Sequence, residues 1–243
     1  MFSKFTTKLA LKQAGIPTNA FDTNQFQSKS TNSKDPKATN ELIPFNNPFT
    51  NLSVPPSWKS WATPAPPPIG VAAAPLVGGF APSSAKLPMP PPDRRPVLVC
   101  FLRNTGCAFA EKTFLDLRTI ANKYPNIQCV AISHSSCAAT ERWVTALGGS
   151  WAVSIVVDED RSLYAAWGLG VSNSWHLVAP PVGIAARKLW NEEKIWPREV
   201  DPSGNRWQTG GSWVVDRSGN VRWGGAMRSA ADIPNFKEAA TTV

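Results

Sequence analysis

The stretch from Val97 to Tyr124 constrains the fold more than any other part of the chain. Residues 97–102 form a continuous apolar run, which is typical of a short strand covered on both faces. The polar residues 103–106 predict a turn. Beyond them, apolar side chains recur at helical spacing as far as Tyr124. The stretch therefore predicts a buried strand, a sharp turn and a helix whose first turn contains Cys107.

Cys107 is the best nucleophile that the sequence offers. It follows the carboxyl end of a predicted strand and lies at the start of a predicted helix. Unpaired N–H groups and the helix dipole favour an anion there, which lowers the pKa of a thiol. An inert, buried cysteine is the alternative interpretation, and the position alone does not decide between the two.

The remaining elements predict a thioredoxin-like α/β fold. Further strands are predicted at 127–133, 154–158, 212–216 and 221–224, and helices at 138–147, 161–168, 184–193 and 231–240. Two strand–helix–strand units in succession imply parallel strands, and the closing hairpin adds antiparallel ones. We therefore expect a three-layer sandwich in which helices cover both faces of a mixed sheet, with the functional site at the carboxyl ends of the parallel strands.

The N-terminal part of the chain has a different composition. The first 95 residues contain 16 of the 23 prolines and carry a net charge of +6 of the total +8. We expect residues 1–69 to form a basic, Pro-rich and largely disordered arm, and residues 70–243 to form the folded domain. The proline segments fit either ligands for proline-binding modules or a strap on the domain surface.

Charge and hydropathy indicate which partners and compartments fit the chain. Its lysines are scattered, so we expect no nucleic-acid partner, and no apolar run approaches the roughly 18 residues of a membrane span. Cytoplasm is the expected compartment. A mitochondrial location is the alternative, because residues 1–16 could form a basic amphipathic helix.

The cysteines and histidines predict neither a metal site nor a bound cofactor. The four cysteines are spaced by 7, 22 and 8 residues, which fits no common set of zinc ligands. Cys100 and Cys129 lie within apolar strands and are expected to pack in the core. His134 follows the second strand, where it could stabilise a thiolate if charged, act as a base if neutral, or make a structural hydrogen bond.

Four blocks of sequence form a recognisable set: VCFLRNTGCAFAE at 99–111, AISHSS at 131–136, LYAAWGL at 163–169 and RWQTGGSWVVD at 206–216. Together they resemble the AhpC/TSA-type peroxiredoxin-like family, in particular its fungal branch. The resemblance implies a thioredoxin-like domain with a thiol-dependent antioxidant role.

The reactive-cysteine block departs from the family pattern. Many relatives carry Cys-Pro-Phe-Cys, where this chain has Ala108 and Ala110 instead of the proline and the second cysteine. The family's proline and threonine before the cysteine correspond to Cys100 and Asn104, although Thr105 is adjacent.

The peroxide-polarising arginine of typical relatives also has no clear counterpart in this chain, because Gly210 falls near its place. Arg103 and Arg206 are possible substitutes. A solvated surface charge is the expected state for each.

Two functions fit these observations. The first is a thiol-dependent oxidoreductase that reduces a hydroperoxide through Cys107, assisted by Thr105, His134 and Cys137, and is regenerated by a thiol reductant. The second is a non-redox protein of fungal specialised metabolism that binds or transforms a small apolar molecule. It is suggested by six tryptophans within residues 167–213, which fit a packed lid or a lined pocket. A scaffold whose arm binds a partner is a third possibility.

Cys137 is the predicted partner of an oxidised Cys107. Each cysteine follows a predicted parallel strand, and the loops after neighbouring strands emerge at the same sheet edge. The helix dipole would lower the pKa of the Cys137 thiol as well. We therefore expect mild oxidation to give a Cys107–Cys137 disulfide, provided that the Cα atoms lie within about 7 Å.

Overall fold

A five-stranded mixed sheet organises the part of the chain that the computed structural model describes, residues 65–172 and 180–243. The strands are β1 (Val97–Phe101), β2 (Gln128–Ser133), β3 (Val153–Val157), β4 (Gly211–Val215) and β5 (Val221–Ala226). The strand order is β3-β2-β1-β4-β5. Strands β1, β2 and β3 are parallel, whereas β4 and β5 are antiparallel to their neighbours.

Helices lie between and beside these strands. They are α1 (Ala108–Lys123), α2 (Cys137–Ala146), α3 (Ser162–Ala166), α4 (Pro180–Glu193) and α5 (Phe236–Ala239), followed by a 3-10 turn at Ala240–Thr242. The order and strand directions are those of the predicted thioredoxin-like sandwich, which is therefore confirmed.

Strand β1 is buried on both faces, as its continuous apolar sequence predicts. Leu98 and Cys100 point into a core shared with α1, α2 and α5. Val99 and Phe101 point into a second core, which contains α3 and the side chain of Trp213. Because alternate residues of a strand face opposite sides of the sheet, the apolar run serves both layers.

Residues 72–89 form a strap that completes the second core. The N–H of Gly78 donates to the carbonyl of Val221, and the N–H of Val221 donates to the carbonyl of Gly79, so the strap pairs with the beginning of β5. Leu87 and Met89 are buried. For its described residues, the surface-strap interpretation of the Pro-rich region is correct. The domain boundary near residue 69 stays a prediction, as does disorder in the arm, because residues 1–64 lie outside the described part.

The closing helix is much shorter than predicted. Residues 231–235 are not helical, and α5 begins only at Phe236. Pro234 has no N–H to donate, and the side chain of Asn235 accepts the N–H of Glu238 and caps the helix. In contrast, α4 begins four residues earlier than the predicted helix at 184–193.

Within the described residues, no helix is long and apolar enough to cross a membrane. The proposed N-terminal targeting helix lies outside the described part of the chain.

Candidate functional site

Cys107 lies at the junction between β1 and α1. It is the N-cap residue of α1 rather than a residue of its first turn, with an extended backbone conformation at φ −84° and ψ 122°. The N–H of Cys107 donates to the carbonyl of Asn104, and its carbonyl accepts the first helical hydrogen bond, from Glu111. Its side chain makes no capping hydrogen bond to the helix. The sulfur is therefore free to face groups outside α1.

The guanidinium of Arg103 is such a group. Its Nη1 donates to the Cys107 Sγ at 3.2 Å, and its Nη2 donates to the carbonyl of Arg206 at 2.7 Å. Arg103 is only 4% exposed, so the expectation that it is a surface charge is wrong. Because a guanidinium can only donate, the sulfur is the acceptor, a role that suits a thiolate.

Arg206 adds a second positive charge beside the same sulfur. Burial lowers its pKa to about 10, helped by the positive charge of Arg103 and opposed by the neighbouring Cys107 side chain. It remains protonated at neutral pH. The surface-charge expectation therefore does not hold for Arg206 either, because it is partly buried and lines a cavity.

Cys107, Arg103 and Arg206 open onto a cavity of about 310 Å³ between the start of α1, helix α4 and residues 197–206. Most of its wall is apolar, including Phe109, Val182, Ala186, Val200 and Ala230. None of the described residues that line it is acidic. The cavity thus combines a thiol and two guanidinium groups with an apolar interior.

An ion pair between Glu111 and Arg198 holds one wall of this cavity in place. We call this ion pair the latch. Glu111 in the first turn of α1 accepts two hydrogen bonds from Arg198, at 2.7 and 3.2 Å. The N–H of Arg198 also donates to the carbonyl of Gly106. A Cβ atom at Gly106 would lie 2.5 Å from Val200 Cγ2, so the close approach of this segment requires glycine.

His134 is buried and electrically neutral. Its Nε2 lies 2.9 Å from the backbone nitrogen and 3.1 Å from the carbonyl oxygen of Asn205, so the backbone of Asn205 engages this ring nitrogen. Burial lowers its pKa to about 4, assisted by the charges of Arg161 and Arg103. Of the three roles considered for His134, this arrangement fits the structural hydrogen bond, because Nε2 is engaged by that backbone. It excludes the charged imidazolium at neutral pH.

Thr105 and Asn104 belong to the turn but make structural contacts. Thr105 Oγ1 lies 3.5 Å from Ser135 Oγ, at the turn after β2. Asn104 Oδ1 accepts the N–H of Gly106 at 3.0 Å. Asn104 lines the cavity, whereas Thr105 lines a separate, more open depression beside Trp143.

Cys137 differs from Cys107 in its surroundings. It is the first residue of α2, is exposed, and donates its thiol to Glu141 at 3.4 Å. That hydrogen bond and the charges of Glu141 and Glu159 raise its pKa, opposite to the direction expected from the helix dipole. It is not among the residues that line the cavity. All four cysteines are free thiols, so the predicted disulfide stays a prediction.

The described tryptophans of residues 167–213 lie in the core or at the surface, and Trp207 packs, partly buried, against the apolar cluster that contains Phe109 and Val182. Trp167 and Trp213 are fully buried in the second core, 5.1 Å apart between ring centres. Trp190 and Trp196 are exposed and pack edge to face, with ring centres 5.5 Å apart. No described tryptophan lines the cavity. Trp58, Trp61, Trp175 and His176 lie outside the described residues.

The other two cysteines are core residues. Burial raises the pKa of both Cys100 and Cys129 to about 12, which makes their thiols unreactive at neutral pH. In residues 65–172 and 180–243, no group of three or more His, Cys, Asp or Glu side chains is placed to hold a metal ion.

The latch was not predicted from the sequence. Glu111 lies within the family-like block, four residues after Cys107, but its partner Arg198 is 87 residues away in an irregular segment. No local pattern identifies such a pair. A polar residue on the first buried turn of an otherwise apolar helix face is the only available signal.

Comparison with protein families identifies the group to which the domain is similar. The profile of the family described as AhpC/TSA antioxidant enzyme matches residues 116–229. This match confirms the resemblance inferred from the sequence blocks. It begins nine residues after Cys107, so it does not extend to the candidate nucleophile. No curated protein matches the sequence.

Solved structures with a similar chain path include a thiol peroxidase from Chromobacterium violaceum, at 12% identity and a TM-score of 0.48, with 70% of this chain and 87% of that chain covered. A peroxiredoxin-like protein from Aquifex aeolicus gives 12% identity and a TM-score of 0.49 over the same shares. Peroxidoxin BcpB from Mycobacterium tuberculosis gives 15% identity and a TM-score of 0.40, with 60% of this chain and 77% of that chain covered.

Proposed function

We propose, from the similarity of residues 116–229 to the AhpC/TSA antioxidant enzyme family, that the chain reduces a hydroperoxide with Cys107 as the nucleophile. The observation that supports this proposal most strongly is the hydrogen bond from Arg103 Nη1 to the sulfur. A buried guanidinium stabilises the thiolate, and the thiolate is the reactive form of cysteine.

The proposed reaction has two stages. The thiolate attacks the terminal peroxide oxygen, an S–O bond forms, the O–O bond breaks, and the departing alkoxide takes a proton from water. The resulting sulfenic acid condenses with a thiol, releasing water and forming a mixed disulfide, which a second thiol reduces. The sum is one hydroperoxide and two thiols converted to one alcohol, one disulfide and one water.

Charge in the cavity assists the first stage. Negative charge develops on the departing oxygen as the O–O bond breaks, and fixed positive groups in a water-poor site stabilise such charge. Arg103 and Arg206 both line the cavity and supply it. Arg103 thereby takes the part that typical relatives assign to an arginine near the position of Gly210.

Cys137 is proposed as the resolving thiol when no external thiol is available. It follows β2 as Cys107 follows β1, and β1 and β2 are neighbouring parallel strands. Its exposure makes it accessible, but the carboxylates beside it disfavour the attacking thiolate. His134 and Thr105 are proposed to position the turns that carry the two cysteines rather than to transfer protons.

The test is steady-state consumption of cumene hydroperoxide with excess dithiothreitol. Cys107→Ser is expected to lose the activity, because serine has no comparable nucleophile. Cys129→Ala removes a thiol buried in the sheet and serves as the matched control, which should retain the activity. A Cys107→Ser variant as active as the wild type would refute the proposal.

A non-redox binding role is the second candidate, supported by the mainly apolar wall of the cavity. In that case an apolar probe should bind, while hydroperoxide should leave the mass of Cys107-containing peptides unchanged. Oxygen addition at Cys107 by stoichiometric hydroperoxide would exclude the non-redox role.

A further inference from the structure

Tyr164 of α3 is fully buried next to the turn that carries Arg103. Its hydroxyl donates to the carbonyls of Leu102 and Ile132, at 2.6 and 2.8 Å. A hydroxyl has a single proton, so the two carbonyl oxygens share it. Leu102 directly follows β1, and Ile132 is the penultimate residue of β2. The hydroxyl therefore ties together the carboxyl ends of two neighbouring parallel strands.

The bond to Leu102 fixes the backbone from which Arg103 extends. The carbonyl of Leu102 and the N–H of Arg103 belong to one planar peptide unit, so holding the first restrains the second. The N–H of Leu102 donates to the carbonyl of Ile132 at 2.9 Å, so the peptide units on both sides of Leu102 are held. Because its backbone is held in this way, Arg103 keeps its Nη1 at 3.2 Å from the sulfur of Cys107.

The ring of Tyr164 supports the same guanidinium by a second route. It packs edge to face against the ring of His134, with the ring centres 5.5 Å apart. The His134 ring engages the backbone of Asn205 through Nε2. The carbonyl of the next residue, Arg206, accepts the Nη2 of Arg103. The two routes from Tyr164 therefore converge on Arg103, one at its backbone and the other at its guanidinium.

The backbone of Tyr164 is itself anchored by a buried carboxylate. Asp158, directly after β3, accepts the N–H groups of Leu163 and Tyr164 on its Oδ2, at 2.8 and 3.2 Å. Its Oδ1 accepts the ammonium of Lys86 at 2.6 Å. Hydrogen bonds to ionised groups are the stronger kind, and the Asp158 side chain is fully buried. The hydroxyl of Tyr164 is therefore held against the two carbonyls from a fixed support.

We propose that Tyr164 is a positioning residue, which holds Arg103 on the sulfur of Cys107 and thereby stabilises the thiolate. This inference rests on the proposed function for the role of the thiolate, but the positioning itself requires no hydroperoxide. Tyr164 is not among the residues that line the cavity, so its effect on the sulfur passes through Arg103. Complete loss of a hydrogen bond to a charged group corresponds to about tenfold or more, which is about one pH unit in a pKa. A loosened bond should give about half of that shift.

The test is the pH dependence of the rate at which iodoacetamide alkylates Cys107 in the full chain, measured by peptide mapping, since the thiolate is the reactive form. Tyr164→Phe deletes the hydroxyl and keeps the ring. It should raise the pKa of Cys107 by about 0.5 pH unit, which slows alkylation about threefold below that pKa. Tyr124→Phe is the matched control, because it makes the same change in the other tyrosine of the chain, at the end of α1, and should leave the pKa of Cys107 unchanged.

A second pair of variants tests whether the effect passes through the guanidinium. In an Arg103→Met background, Tyr164→Phe should change the pKa of Cys107 by less than about 0.2 pH unit, because no guanidinium is left to position. If Arg103→Met does not fold, the comparison of Tyr164→Phe with Tyr124→Phe decides alone.

An unshifted pKa of Cys107 in Tyr164→Phe would overturn the proposal, even if that variant unfolds at a lower urea concentration, because Tyr164 would then only stabilise the fold. An equal shift with and without Arg103 would overturn it as well. The two proposals fail separately. A shifted pKa in a protein that consumes no hydroperoxide removes only the reaction, and hydroperoxide consumption with an unshifted pKa removes only the role of Tyr164.

Discussion

The latch between Glu111 and Arg198 should couple the stability of the domain to closure of the cavity. The Glu111 side chain is 8% exposed and that of Arg198 is 45% exposed. Removing one partner of a fully buried pair costs about 3–5 kcal/mol because a charge is left unpaired. Arg198 is half exposed to solvent, which reduces the free-energy cost of removing one partner from this pair.

We therefore expect unequal effects from the two single substitutions. Arg198→Met leaves the Glu111 carboxylate buried without its partner, and should lower the free energy of unfolding by about 2 kcal/mol. Glu111→Gln leaves Arg198 to be solvated, and should cost about 1 kcal/mol. The double variant should lose about 2 kcal/mol rather than the sum, which corresponds to a coupling energy of about 1 kcal/mol.

Urea unfolding followed by tryptophan fluorescence measures these differences. Lys188→Met is the control, because the Lys188–Glu192 pair is 4.0 Å apart and both side chains are more than half exposed. It should change the free energy of unfolding by less than about 0.5 kcal/mol. Both latch variants should also increase the alkylation rate of Cys107, since residues 197–206 cover it. Strictly additive single-variant effects, or unchanged alkylation, would refute the latch.

Three further predictions concern individual side chains. Glu141→Gln should speed the reaction of Cys137 with iodoacetamide at pH 7, because the carboxylate of Glu141 raises the pKa of that thiol. Peptide mapping measures the rate, and an unchanged rate would count against this cause. His134 has a folded-state pKa of about 4, below its unfolded value of about 6.5. The free energy of unfolding should therefore be highest above pH 6.5, where His134 is neutral in both states, and should fall by up to about 3 kcal/mol towards pH 4. Urea unfolding at pH 4, 5.5 and 7.5 should show this loss in the wild type but not in His134→Gln. Gly106→Ala should lower the free energy of unfolding by about 1–3 kcal/mol, because the new Cβ would meet Val200. Gly183→Ala is the control and should be neutral or stabilising, because the space at its Cβ is open. Equal effects of the two substitutions would contradict the packing described at Gly106.

The sheet could be predicted from the sequence because local patterns specify it. The apolar run of β1, the alternation of strands and helices, and the Gly-containing hairpin loop each depend on residues close together in the chain. The alanine-rich composition of residues 231–240 predicts a longer C-terminal helix than the one observed, because Pro234 interrupts the helical pattern and the helix begins only at Phe236.

The site was only partly predictable, because its electrostatics depend on distant residues. The place of Cys107 directly after β1 identifies it as a candidate nucleophile, whereas the sequence predicts an exposed side chain for Arg103. Its burial arises from residues 197–206, more than 90 positions later, which no local pattern places over the turn. The same limitation applies to Cys137, whose thiol responds to Glu159 as well as to its own helix.

The most direct test of the central claim is chemical trapping of the oxidised cysteine. The full chain is treated with one equivalent of cumene hydroperoxide in the presence of dimedone, which captures sulfenic acid, and the adducts are mapped by mass spectrometry. We expect adduct on Cys107 in clear excess over the other three cysteines. In Arg103→Met the rate should be at least tenfold slower, since the thiolate then loses its buried charged donor. As much adduct on the exposed Cys137 as on Cys107, or an Arg103→Met rate equal to that of the wild type, would contradict this expectation.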